Sequence, residues 1–149
     1  MRALSRRDAL TLGVGTAAAL AAPGRSRAAS NGAEVEIAKF TGGKTAEPGR
    51  IAIDLPEIAE NGTAVPLAVT VESPMTAADH VAEVLVIADA NPMPRIATFH
   101  FTALSGRAEA ATRIRLAATE NVIVVARTND GRFYTARKEV KVTIGGCGG

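Results

Sequence analysis

Ala64-Val65-Pro66-Leu67-Ala68-Val69-Thr70-Val71 is the stretch whose reading decides the fold. Val65, Leu67, Val69 and Val71 fall on one side and Pro66, Ala68 and Thr70 on the other. This period of two belongs to a strand that buries one face. Pro66 cannot donate to a ladder, which places it at the start or edge of the strand. Just upstream, Asn61-Gly62 is a turn signal. Ile51-Ala52-Ile53-Asp54-Leu55 alternates again and is stopped by Pro56. Glu57 to Glu60 between them is expected to be a helical turn, and Lys44 to Arg50 a loop. Before that, Val35, Ala38 and Ile37 can share one side of a short N-terminal helix ended by Gly42-Gly43.

Downstream, Ser73-Pro74 turns the chain and Val81 to Ala88 is a β-branched apolar run, a strand by composition. Asn91-Pro92-Met93-Pro94 is rigid and non-helical. Ile96 to Thr102 follows, with Ala97, Phe99 and Phe101 on one face and Ile96, Thr98 and His100 on the other. Ser105-Gly106 turns. The alanines of Ala108 to Ala117 suit a helix, but Thr112-Arg113-Ile114-Arg115-Leu116 alternates and predicts a strand. Asn121 to Thr128 and Arg132 to Ile144 are the last strands, joined by the hairpin loop Asn129-Asp130-Gly131. About seven strands with frequent turns and no βαβ rhythm predict an all-β fold: an antiparallel immunoglobulin-like β-sandwich with a short N-terminal helix. The chain lacks the Trp and the cysteine pair of antibody domains, so the likeness is architectural. The sandwich is expected over residues 30–144 of the 149.

Residues 1–29 predict an export signal. Met1 to Asp8 is basic, Ala9 to Ala22 is mildly apolar, and Ser26-Arg27-Ala28-Ala29 offers small residues for cleavage. The apolar run is too short to span a bilayer, which needs about 20 residues. Ser5-Arg6-Arg7 followed by Leu10 resembles a twin-arginine signal, the route that exports folded proteins. A general secretory signal containing Arg-Arg is the alternative. The signal holds five Arg and one Asp, leaving 12 basic and 14 acidic side chains and a net charge of −2. No basic patch remains to argue for nucleic acid, and no later stretch suits a membrane span. The expected location is the periplasm.

At the other end stand Ile144-Gly145-Gly146-Cys147-Gly148-Gly149. Cys147 is the only cysteine, so an intramolecular disulfide is excluded. Its position excludes a lipoprotein anchor, and too few residues follow it for prenylation. Gly145, Gly146, Gly148 and Gly149 predict a flexible arm, residues 145–149, rooted at Ile144 and presenting the thiol. An exposed free thiol in an oxidising compartment invites oxidation and mispairing, which argues against an accidental one. Other candidates are sparse. His80 and His100 have no metal-ligand spacing and are expected to be structural or solvated. Asp54, Glu57 and Glu60 suit a solvated face, and Arg113 and Arg115 suit an exposed strand face. Phosphate-loop, serine-hydrolase and metalloprotease motifs are absent. With no visible activating group beside Cys147, the pattern suits a carrier whose thiol is activated in its partners, rather than an enzyme.

Several stretches resemble the SoxY family of sulfur carriers. They are Asn91-Pro92-Met93-Pro94-Arg95-Ile96-Ala97-Thr98-Phe99-His100-Phe101, Thr112-Arg113-Ile114-Arg115-Leu116-Ala117, Asp130-Gly131-Arg132-Phe133-Tyr134 and Val140 to Gly149. The likeness reaches back through Val69-Thr70-Val71-Glu72-Ser73-Pro74-Met75. The resemblance implies an immunoglobulin-like fold, with Cys147 as the covalent cargo site on a C-terminal swinging arm and no bound cofactor beyond the sulfur adduct. It implies a heterodimer with SoxZ, a second β-sandwich subunit that lacks its own signal. It also implies a haem c-type cytochrome pair that conjugates thiosulfate to the thiol, and a dimanganese hydrolase that releases sulfate. In some organisms a sulfane dehydrogenase containing molybdenum and haem joins them.

Two other classes remain open at this point. One is a carrier that holds sulfur as a thiocarboxylate on Gly149; the signal and the missing long helix count against it. The other is an exported immunoglobulin-like interaction module whose tail thiol cross-links two chains.

Overall fold

The computed structural model describes the backbone of residues 27–146, with side-chain surroundings from residue 32 onward. The export signal lies outside the described residues save for its last three positions, which open a helix. The elements are α1 (Arg27–Thr41), β1 (Glu47–Pro48), β2 (Ile51–Asp54), β3 (Ile58–Asn61), β4 (Val65–Val71), β5 (Val81–Ala88), β6 (Arg95–His100), a 3-10 turn (Ala103–Ser105), β7 (Ala108–Ile114), β8 (Glu120–Thr128) and β9 (Phe133–Ile144).

One sheet runs β1-β9-β8-β5-β6, with β3 also on β9; the other runs β2-β4-β7. Apart from β1 and β3, the strands pair antiparallel within these two sheets. Their facing sides enclose an aliphatic core that includes Val65, Leu67, Val69, Val84, Val86, Leu116, Val122, Val124 and Val140. This is the expected sandwich. β4 shows why: its positions alternate buried and accessible along the whole strand, and Pro66 sits on the accessible side.

β5 and β8 do not alternate, because both their faces are covered. Val84 and Val86, with Val122 and Val124, face the other sheet. Leu85 and Ile87, with Ile123 and Val125, face outward into a second cluster with Phe133 and Ala33. Helix α1 closes that outer face through Ala33, Ile37 and Phe40. Phe40 meets Phe133 edge-on, with centroids 5.9 Å apart.

Four expectations change. First, the helix is longer, at 15 residues, and begins inside the segment assigned to the signal. Its buried stripe is Ala33-Ile37-Phe40 rather than Val35-Ala38, and Val35 is 49% exposed. The spacing of i, i+4 and i+7 reaches one face of a helix. It does end at Gly42 and Gly43, both with left-handed φ, and the Gly43 N–H donates to the Ala38 carbonyl at 3.2 Å.

Second, Glu57 to Glu60 is not a helical turn. Ile58–Asn61 is a strand, parallel to β9 with Ala59 opposite Val142, and it tucks Ala59 inward. Third, the Lys44–Arg50 loop holds a two-residue strand that is also parallel to β9. The sheet is therefore mixed, since the chain reaches the free edge of β9 twice in the direction β9 itself runs. Fourth, Ile96 lies with Phe99 and Phe101 against the main core. The β5–β6 register shifts between Val86, opposite Ala97, and Ile87, opposite Arg95, which leaves Ile96 as a bulge residue.

Candidate functional site

The C-terminal ends of β3, β5, β7 and β9 meet at one end of the sandwich. The turn after β3, the β5–β6 loop and the β7–β8 loop cluster there around the start of the tail.

The β7–β8 loop is tied down from three sides. The Asn91 amide donates through Nδ2 to the Arg115 carbonyl (2.8 Å), and its Oδ1 accepts from the Ala117 N–H (2.8 Å). The Glu120 carboxylate accepts from the same Ala117 N–H at 3.0 Å through Oε1 and from the Ala90 N–H at 2.8 Å through Oε2. The Thr119 hydroxyl accepts from the Val142 N–H at 3.0 Å, which joins the loop to β9. Glu120 is 3% exposed. Burial pushes its carboxyl above the usual 4.5, against the opposing pull of the N–H groups of Ala90, Ala118 and Ala117, and nearby Asp89 adds to the rise.

Onto this loop the described part of the tail is fastened by main-chain bonds. The Gly62 N–H donates to the Ile144 carbonyl at 2.8 Å, the Leu116 N–H to the Gly62 carbonyl at 2.8 Å, and the Gly146 N–H to the Leu116 carbonyl at 2.9 Å. Three segments remote in sequence thus close a ring of hydrogen bonds. Gly62 and Gly146 are buried and Gly145 half-buried.

None of these three glycines has left-handed backbone. What each lacks is room for a Cβ. On Gly145 a Cβ would collide with the Ala117 carbonyl oxygen. On Gly146 it would come 2.7 Å from the Gly62 carbonyl oxygen and 3.0 Å from Thr63 Cα. On Gly62 it would run into the Leu116 carbonyl oxygen and lie 2.6 Å from the Gly146 nitrogen. The expected root of the arm at Ile144 therefore moves to Gly146, and Gly145 and Gly146 are held rather than free.

Cys147, Gly148 and Gly149 lie outside the described residues, so the thiol itself has no described surroundings. The clasp places it next in sequence after a buried residue. Ile144, 67% exposed, puts an apolar side chain beside that point.

Of the remaining candidates, Arg115 directly precedes Leu116 and Glu60 stands two residues before Gly62, in the segments that fasten the tail. His80 Nδ1 lies 2.9 Å from the Thr76 carbonyl oxygen. His100 Nδ1 lies 3.1 Å from Glu83 Oε1. Asp54, Glu57, Glu60, Arg113 and Arg115 are exposed. Among the described residues no group of three His, Cys, Asp or Glu could hold a metal ion, and no helix is long and apolar enough to cross a membrane. Sequence reasoning missed Asn91 and Glu120. A Glu heading the solidly apolar run Val122 to Ala126 was the available signal, because its carboxylate must find partners near a buried strand.

No curated protein matches the chain. The family model described as sulfur oxidation protein SoxY matches residues 37–147, a span that starts within α1 and ends on the tail cysteine. The structure of the sulfur carrier protein SoxY from Chlorobium limicola f thiosulfatophilum is 34% identical, with a TM-score of 0.64 over 76% of this chain and 98% of that one. A superoxide reductase (neelaredoxin) from Ignicoccus hospitalis is 18% identical, with a TM-score of 0.56 over 63% of this chain and 80% of its own. The superoxide reductase of Nanoarchaeum equitans is 14% identical, with a TM-score of 0.54 over 64% and 100%. These last two share the fold alone. The chain belongs to the SoxY family of sulfur carrier proteins.

Proposed function

We propose that this carrier holds its cargo covalently on Cys147 and presents it, in the periplasm, to the enzymes of thiosulfate oxidation. One observation carries the reading: the chain is fixed and buried at Gly146, and its only cysteine is the next residue. From Gly146 the last three residues can extend about 10 Å at most. That reach suits a thiol that enters a neighbouring protein's pocket while the sandwich stays outside.

Loading joins the Cys147 sulfur to the outer sulfur of thiosulfate. The thiol loses its proton and an electron pair passes to an oxidant, the role proposed for the haem cytochrome pair. Hydrolysis by the dimanganese enzyme then breaks the bond between that outer sulfur and the sulfonate. The water oxygen leaves in sulfate, and a persulfide stays on Cys147. Where a sulfane dehydrogenase is present, it would oxidise the outer sulfur of the persulfide to a sulfonate, taking three oxygens from water and passing six electrons to an electron acceptor, before a second hydrolysis releases sulfate and frees the thiol. An unperturbed thiol is only a few per cent thiolate at neutral pH, so activation falls to the partner's pocket. A SoxZ-like subunit is the proposed partner in a heterodimer, and folded export by the twin-arginine route would let one signal serve both.

Intact mass after incubation with thiosulfate and the conjugating cytochrome tests the reading. A reducible adduct that maps to Cys147, absent from Cys147→Ser, is the expected result. An adduct on the Gly149 carboxyl, a disulfide dimer alone, or retained loading of Cys147→Ser would overturn it.

A further inference from the structure

The glycines at the root of the tail do two different jobs, and the structure separates them. The sequence assigns Gly145 and Gly146 to freedom of movement, yet both are excluded from carrying a side chain by contact with the backbone of other segments. Gly62 stands on the far side of the same contact. It is remote in sequence, is the middle residue of a turn in which the Asn61 side chain accepts from the Thr63 N–H at 2.9 Å, and is buried. We infer that Gly62 is a positioning residue for the carrier tail: with Leu116 it holds Gly146, so that the point from which the chain continues to Cys147 is set by the β3–β4 turn. The functional meaning of the pivot rests on the carrier reading; its geometry does not.

The clasp has a weak side. Leu116 is fully buried, and its loop is held by Asn91, Glu120 and Thr119. The Gly62 turn follows β3, which is paired to β9. Gly146 is held by one N–H bond and by contact, near the end of the strand that leads to it. A methyl group introduced at Gly62 meets the Leu116 oxygen and the Gly146 nitrogen, both main chain. The tail yields on its side, since fewer bonds hold it; the tighter contact with the Leu116 oxygen is relieved only if the Gly62 turn itself shifts away from that loop, which breaks the same ring. Gly62→Ala should therefore free Gly145 and Gly146 and move the pivot back into β9, while the sandwich stays folded. The exchanging partner would then meet a thiol on a longer and looser tether, and the precise placement of a reacting atom matters steeply for rate.

The test uses the full chain. Amide hydrogen exchange is followed at Gly146, with Val124 and Val140 as core references, and a nitroxide label on Cys147 reports tail motion. In the parent protein the Gly146 amide should be protected and the label restricted. In Gly62→Ala, Gly146 exchange should rise about tenfold or more and the label spectrum narrow, with Val124 and Val140 unchanged. An unprotected Gly146 amide in the parent overturns the inference, as does an unaltered Gly146 amide and label in Gly62→Ala. If Gly62→Ala loosens the core references as well, Gly146→Ala decides, since it changes only the tail side of the contact: the same narrowing supports the pivot and an unaltered label refutes it. Neither readout involves a thiosulfate-derived cargo. A parent protein that shows the clasp but forms no thiosulfate adduct would refute the carrier reading alone.

Discussion

Glu120→Ala removes the carboxylate that joins the β5–β6 loop to the β7–β8 loop. Its cost can be worked from the contacts. The Ala117 N–H keeps an acceptor, Asn91 Oδ1 at 2.8 Å, but the Ala90 N–H loses Glu120 Oε2 at 2.8 Å. A charge-assisted bond is lost and one half-buried donor is left to find water. Part of the loss is offset because a desolvated charge is removed as well. A net destabilisation of about 1–2 kcal/mol follows, or roughly 4–8 °C in Tm for a domain of this size. Burial raises the Glu120 pKa above 4.5, so the folded state holds that proton more tightly than the unfolded one. The stability it contributes is fully present below pH 4.5 and is lost as pH rises through the folded value. The gap between parent and variant should therefore be wider near pH 4 than near pH 7, at roughly constant denaturant slope. Urea unfolding followed by far-UV circular dichroism measures both, a probe suited to a chain without Trp. A variant within about 0.5 kcal/mol of the parent at both values, or a gap that widens toward neutral pH, would refute the reasoning.

Two more outcomes follow from the described contacts. The Thr128 hydroxyl, aided by Arg132, holds the Asp130 carboxyl at about 2, down from 3.8. Its contribution is present above pH 3.8 and disappears as pH falls through about 2, so Asp130→Asn should flatten that part of the acid limb in urea midpoints. A limb unchanged in shape would count against the hairpin contact as its cause. Leu85→Ala, fully buried between the large sheet and α1, should cost about 2–5 kcal/mol in chemical unfolding. A loss below about 1 kcal/mol would mean that α1 does not seal that face.

Local patterns carried the sandwich. β4 alternates over its whole length, and the Asn129-Asp130-Gly131 loop announced the β8–β9 hairpin. β5 and β8 were legible from their β-branched composition, although their two-sided burial was not, because it depends on where α1 lands. β3 is missed because the residues it pairs with, Lys141, Val142 and Ile144, lie some eighty residues away, and nothing within Glu57 to Glu60 signals a parallel partner. At the site, the tail was visible as a composition, and its glycines were assigned to freedom. Their crowding against Gly62 and Ala117 could not be read locally, since it arises only where three remote segments meet.

β9 carries one more consequence. It is the hub of its sheet, pairing β8 on one edge and β1 and β3 on the other, and it follows every other strand in the chain. During synthesis it emerges after the other described strands. Until then β8 offers Val122-Ile123-Val124-Val125-Ala126 along an unpaired edge, an uncharged β-branched run of the kind that recruits strands from other molecules. The nascent chain thus passes through a stage in which an aggregation-prone segment waits for its partner. Any process that must receive this protein already folded depends on how quickly β9 closes that edge.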